Sequence, residues 1–305
     1  MLPALAQPRG APARRQIGVL AVEPDEMLRQ SLRELCLADG PALAIRMPST
    51  EGRVDRLAAL TDELVRDRVD VIVAAYPAAA LAASRATASI PIVMMNTPDP
   101  TELGLVRSLA RPGGNVTGVT TLSVELSLKQ LELLKEAVPR ASPVALLWNP
   151  DNPWHPVTVR GLRARSAELG LALQVLPIRS PADFAPAFDA MTTQRSHAVL
   201  LLADPMTFVH RERLAGLAID HRLPMMGSLR EYADAGSLLS YWADRAELSR
   251  RTASYVARIL KGNRPEELPV EQPTKYELVV NLATARTLEL MIPESILLRA
   301  DQVLH

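Results

Sequence analysis

Ile17-Gly18-Val19-Leu20-Ala21-Val22, the turn Pro24-Asp25, an amphipathic stretch and Gly40 form the unit that decides the fold class. A near-continuous apolar run followed by a segment of helix length is a βα unit, and strands take this form when both faces of a parallel sheet are covered. Similar apolar runs at 69–75, 90–95, 144–148, 171–177, 198–203 and 223–226 alternate with amphipathic stretches. The sequence therefore predicts an α/β protein with parallel sheets. Helix punctuation agrees: Ser180-Pro181-Ala182-Asp183 offers an N-cap, a proline at the first helical position and an acid in the first turn, while Gly40 and Gly170 sit where helices should end.

The second apolar run in the middle of the chain, 144–148, leads to Pro150-Asp151, another helical stretch and Gly170, echoing the opening unit. With 305 residues, above the usual single-domain size of roughly 100 to 200, the echo predicts two lobes with separate cores. Residues 16–120 plus about 245–263 are expected in lobe 1, and 121–244 plus about 264–305 in lobe 2. The turn-rich Arg111-Pro112-Gly113-Gly114-Asn115 precedes 116–121, read as one crossing between lobes, and the proline-rich 262–269 reads as another. Several crossings make a hinge, so closure of the lobes is expected.

Composition narrows the function. Lys and Arg number 34 against 34 Asp and Glu, with no basic, aromatic-interleaved patch, so nucleic acid is not an expected partner. Aromatics at 4% argue against a groove paved for carbohydrate. No stretch reaches the roughly 20 apolar residues of a membrane span. The single Cys36 falls in a helical pattern, where a buried thiol is expected, and it permits no disulfide within the chain. Residues 1–15 read as disordered or as a signal-peptide remnant, because Ala4-Leu5-Ala6 resembles the small-residue end of such a signal.

Enzyme templates fail. There is no G-x-S-x-G elbow, no phosphate loop of the G-x-x-x-x-G-K-[ST] type, and no G-x-G-x-x-G after the first strand. His155, His197, His210, His221 and His305 lack metal-ligand spacing, so no metal or cofactor is expected; His155, in Asn149-Pro150-Asp151-Asn152-Pro153-Trp154-His155, is the one closest to polar neighbours. Ligands in open α/β sheets bind beyond the carboxyl ends of strands. That rule selects Tyr76, Asn96, Thr97 and Asp99 in lobe 1, and Asn149, Asp204 and Tyr241 in lobe 2. Helix capping and turn chemistry account for the same residue types one at a time; ligand binding accounts for them as a group facing one cleft.

The chain resembles ABC transporter substrate-binding proteins of the type I periplasmic-binding fold, the group with tryptophan- and tyrosine-binding members. The resemblance is carried by Asp99-Pro100 with Leu103-Gly104-Leu105-Val106, and by Arg111-Pro112-Gly113-Gly114-Asn115-Val116-Thr117-Gly118-Val119-Thr120. Asn149-Pro150-Asp151-Asn152-Pro153, Ile259-Leu260-Lys261-Gly262 and Gln272-Pro273-Thr274-Lys275-Tyr276-Glu277-Leu278-Val279-Val280-Asn281-Leu282 continue it, followed by Ile292-Pro293 and Leu298-Arg299-Ala300-Asp301.

The resemblance implies two Rossmann-like lobes joined by three hinge crossings, and an extracytoplasmic or periplasmic receptor that captures a small polar or aromatic molecule. Its implied partners are an ABC permease and its ATPase, with the membrane reached only through the permease. Two departures stand out. Where family members commonly carry a Gly/Thr-rich loop whose backbone binds a ligand carboxylate, this chain has Ala75-Tyr76-Pro77-Ala78, and Thr97 replaces the glycine after the fourth strand. A helix starting after Pro77 would still favour an anion. The rival readings are a cytosolic ligand-sensing regulator core of the same fold and a two-lobed racemase. The racemase needs two opposed thiols, and this chain has one cysteine.

Overall fold

The computed structural model describes residues 15–22, 24–36, 43–51, 53–121 and 123–305, apart from the side chains of Cys36 and Ser123. The expectations for a leader segment, for the Cys36 thiol and for Gly40 lie outside what is described.

Two sheets form two lobes. The first contains β1 (Arg15–Leu20), β2 (Leu43–Arg46), β3 (Val71–Ala74), β4 (Ile92–Met94) and β5 (Val116–Gly118), in the order β2-β1-β3-β4-β5. Every neighbouring pair in it is parallel. The second contains β6 (Val144–Trp148), β7 (Leu173–Pro177), β8 (Ala198–Leu201), β9 (Met225–Gly227), β10 (Leu239–Ala243), β11 (Tyr276–Asn281) and β12 (Gln302–Leu304), in the order β12-β11-β10-β9-β8-β6-β7. Here β10 and β11 pair antiparallel within an otherwise parallel sheet. The chain reaches β11 from the other lobe and not through a crossover helix, so nothing constrains that strand to run parallel.

Helices cover both faces of each sheet, as the continuous apolar strands require. In lobe 1, α1 (Glu26–Cys36) lies on one face and α2 (Leu57–Arg66) and α3 (Pro77–Ala86) on the other. In lobe 2, α4 (Ser123–Ala137) and α5 (His155–Arg165) cover one face. The other face carries α6 (Phe184–Thr193), α7 (Pro205–Val209), α8 (Arg211–Asp220) and α9 (Arg230–Asp234). Ser180 and Asp183 form the expected capping box, and Gly170 ends its turn in the left-handed conformation at φ 64°.

The later chain returns to lobe 1. Helix α10 (Arg245–Leu260) packs its Leu248, Ala253, Val256 and Ile259 with Ile17, Val19, Leu28 and Leu32. Leu268 joins that same core and Val270 the opposite one. Residues 264–271, expected in lobe 2, thus pack on lobe 1, and the last crossing falls at 271–275 and not near Gly262. The short helices α11 (Leu282–Thr287) and α12 (Glu294–Leu297) then follow β11 in lobe 2.

The crossings run side by side. Val116–Gly118, read as part of a crossing, is instead the edge strand β5, and the passage begins at Val119. Thr120 N–H donates to Glu271 O at 2.8 Å and Glu271 N–H to Gly118 O at 3.0 Å, while Asp244 N–H donates to Lys275 O at 3.0 Å. Charged side chains fasten the last passage to α10. Glu247 accepts from Thr274 Oγ1 (2.7 Å) and Lys275 N–H (2.8 Å), and Arg251 bonds both Glu247 and Glu271 at 2.8 Å. Burial alone would raise the Glu247 carboxyl, but these donors hold it below its ordinary range. Gly118 sits where no side chain fits: its φ is +133°, and a Cβ would lie 2.1 Å from Met94 O.

Candidate functional site

Between the lobes lies a cleft of roughly 270 Å³, near the small end of ligand pockets at about 300 to 1,000 Å³. Its lobe 1 wall is built from strand ends and first turns: Ala21 and Asp25 after β1, Tyr76 and Pro77 after β3, Met95 and Asn96 after β4. The lobe 2 wall holds Asn152 and Trp154 after β6, Asp204 and Phe208 after β8, and Ser228 and Glu231 after β9. Trp242 and Arg245 flank the second crossing.

Of the residues selected from sequence, Tyr76, Asn96 and Asp204 lie on this wall. Tyr76 donates its hydroxyl to Thr50 Oγ1 at 3.1 Å, and burial pushes its pKa up to about 12. Asn96 adopts the left-handed conformation at φ 58°, which Asn tolerates better than most residues. Asp204 accepts from Met206 N–H at 2.9 Å, capping α7.

Thr97, Asp99, Asn149 and Tyr241 are not on the wall. After the Asn96 turn, Thr97 is fully buried, its carbonyl accepting from Thr120 Oγ1 at 2.7 Å, so it belongs to the start of the first crossing. Asp99 continues that turn at φ 46°, and its carbonyl accepts from Leu103 N–H. Asn149 stands behind the wall and donates to Asp204 Oδ2 at 3.1 Å. Tyr241 stacks on Tyr276 with centroids 5.6 Å apart. Successive side chains alternate across a strand, so its neighbour Trp242 takes the cleft side.

His155 resolves the question its neighbours raised. It is wholly buried; Nδ1 accepts from Asn149 N–H at 3.0 Å, which leaves Nε2–H to donate to Ala203 O at 3.1 Å. It pins the ends of β6 and β8 together, and burial holds its pKa below the ordinary value. Among the described residues, no group of three or more His, Cys, Asp and Glu could hold a metal ion, and no helix is long and apolar enough to cross a membrane.

Several wall residues escaped the strand-end rule. Arg245 at the start of α10 donates to Asp25 Oδ2 of lobe 1 at 2.9 Å and also pairs with Glu231 of lobe 2, bridging the cleft. The Pro-Asp echo carried a signal for Asp25, yet its counterpart Asp151 is exposed and pairs with Arg179 away from the wall. Five wall residues also carry a buried polar atom with no hydrogen-bond partner: Asn96 Oδ1, Asn152 Oδ1, Ser228 Oγ, Glu231 Oε2 and Trp242 Nε1.

Comparison with known proteins agrees with this architecture. The model of the ABC transporter substrate binding protein family matches residues 25–304. A tyrosine-binding protein of Clostridioides difficile (strain R20291) is 24% identical over 262 residues, covering 86% of this chain and 75% of that protein. The crystal structure of an ABC domain in complex with L-Trp from Streptococcus pneumonia superposes with TM-score 0.88 at 24% identity, covering 96% of this chain and all of that one. A conserved domain protein from Vibrio cholerae gives TM-score 0.86 at 27% identity over 95% of this chain and 99% of its own. Two doubly covered sheets around one cleft are thus the shared fold, and this chain belongs to the ABC transporter substrate binding protein family.

Proposed function

We propose that the protein captures a small polar or aromatic solute outside the cytoplasm and hands it to a membrane permease driven by an ATPase, without chemical turnover. The observation that carries this reading is that both lobes place buried polar atoms without a partner on one cleft wall, five of the twelve such atoms among the described residues. A buried polar group left unpaired costs roughly 1 to 3 kcal/mol, so a polar ligand that pairs with these atoms gains free energy on binding. A solute touching Tyr76 and Asn96 on one side and Asp204, Asn152 and Ser228 on the other stabilises closure, because only the closed form presents both sets at once. The absence of a paired thiol, a nucleophile elbow or a phosphate loop in the sequence supports binding over turnover.

A thermal-shift screen over amino acids, small carboxylates, amines and nucleosides tests the reading. A true ligand at about 100 times its dissociation constant adds about 2.7 kcal/mol of stability. A screen in which no class of solute raises the melting temperature, or an assay in which a bound amino acid is racemised, would overturn it.

A further inference from the structure

We propose that the cleft selects its ligand through a cationic nitrogen seated on Asp204, so that an amine suffices and a carboxylate on the ligand is dispensable. This deepens the binding reading above and rests on it. Asp204 is only 6% exposed and lies on the cleft wall. Its carboxylate accepts from three donors, Met206 N–H at 2.9 Å, Asn149 Nδ2 at 3.1 Å and Asn152 Nδ2 at 2.9 Å, and all three are neutral amides. A buried carboxylate without a cation is held at considerable cost, and the nearby cations are engaged elsewhere. Arg245 is shared between Asp25 and Glu231, while Arg211 lies over the Phe208 ring at 4.7 Å and donates to Phe208 O at 2.8 Å.

The surroundings suit a cation in two further ways. Of the five unpartnered atoms, Asn96 Oδ1, Asn152 Oδ1 and Glu231 Oε2 can only accept, Trp242 Nε1 can only donate, and Ser228 Oγ can do either. An ammonium brings three donors and no acceptor, and therefore answers that excess. Aromatic side chains share the wall with the carboxylate as well: Tyr76, Trp154, Phe208, Tyr232 and Trp242 all line the cleft. Ring faces attract cations. The uncapped start of α3 after Pro77 offers first-turn N–H groups to an anion, so a ligand carboxylate is the rival that the test must separate.

Three matched series separate the possibilities: tryptophan, tryptamine and indole-3-propionate; tyrosine, tyramine and 4-hydroxyphenylpropionate; leucine, isoamylamine and 4-methylpentanoate. Titration calorimetry is expected to show that in at least one series the amine and the amino acid bind while the deaminated acid does not. Asp204→Asn keeps an acceptor for Met206 N–H, but it removes the charge and sets an NH2 donor against the Asn149 and Asn152 amides; it should weaken amine binding by at least roughly tenfold and also lower the melting temperature. The proposal is overturned if the deaminated acids bind as well as the amines, or if Asp204→Asn lowers the melting temperature and leaves amine affinity unchanged, which would make Asp204 only a helix cap. If no member of the nine binds but a nucleoside or other neutral solute does, the amine proposal fails while the binding reading stands. If nothing in the wider screen binds, both fail.

Discussion

The last hinge crossing and the cleft wall lie on either side of Arg245, and they treat charge in opposite ways. At the crossing, Glu247, Arg251, Glu271 and Lys275 bond one another or the passing backbone. On the wall, Asn96, Asn152, Ser228, Glu231 and Trp242 each keep a polar atom unpaired. Satisfied groups contribute to folding, whereas the unpaired atoms on the wall are within reach of whatever enters the cleft. The difference teaches that changes at the hinge should be read in stability and changes in the cleft in affinity.

The most disruptive test is at the hinge entry. Gly118→Ala forces a Cβ against the Met94 carbonyl at a φ few residues adopt, and should cost about 3 kcal/mol or more, measured by urea unfolding. Normal stability in this variant would mean that β4 and β5 part more easily than their register implies.

Next comes Glu247→Ala, which strips acceptors from Thr274, Lys275 and Arg251. An expected loss of about 1 to 3 kcal/mol should appear in denaturant unfolding, with ligand affinity changed far less. A variant that melts normally but binds poorly would reverse the contrast between the two regions.

His155 sharpens the comparison through pH. Its folded pKa lies below the ordinary value because burial disfavours the imidazolium. The unfolded chain therefore takes up a proton first, and stability present above about pH 6.5 is lost as the pH falls toward the folded value. The slope from one proton is at most about 1.4 kcal/mol per pH unit. Unfolding measured between pH 7.5 and 5.5 should show it, and His155→Gln should flatten it; an unchanged slope in that variant would assign the titration elsewhere.

Ser228→Ala should produce the smallest change in stability, within about 0.5 kcal/mol, since its hydroxyl makes no hydrogen bond within the protein. Ligand affinity is where the loss should appear, by calorimetry. A clear drop in melting temperature with affinity intact would place Ser228 among the structural groups.

Tyr76, Asn96 and Asp204 were legible in the sequence because each follows an apolar run directly, and local chain geometry puts a strand end at the cleft. Asp25, Glu231 and Arg245 were not singled out, since they come together from after β1, from α9 and from α10, 220 positions apart at the extremes. Tyr241 and Trp242 are adjacent, and choosing between them required knowing which face of β10 meets the cleft. Strands β2, β10, β11 and β12 were also missed; β10 and β11 pair across a crossing that leaves no local periodic signal.

By itself the sequence determined the α/β class, the two lobes and the strand ends that point to a cleft, because apolar periodicity and turn chemistry act over a few residues. Only the tertiary structure decided that 264–271 stay with lobe 1, that Thr97 and Tyr241 turn away from the cleft, and that Arg245 spans it between Asp25 and Glu231. Those outcomes depend on which faces meet after the chain has crossed the hinge, and no local pattern encodes a contact between segments that distant.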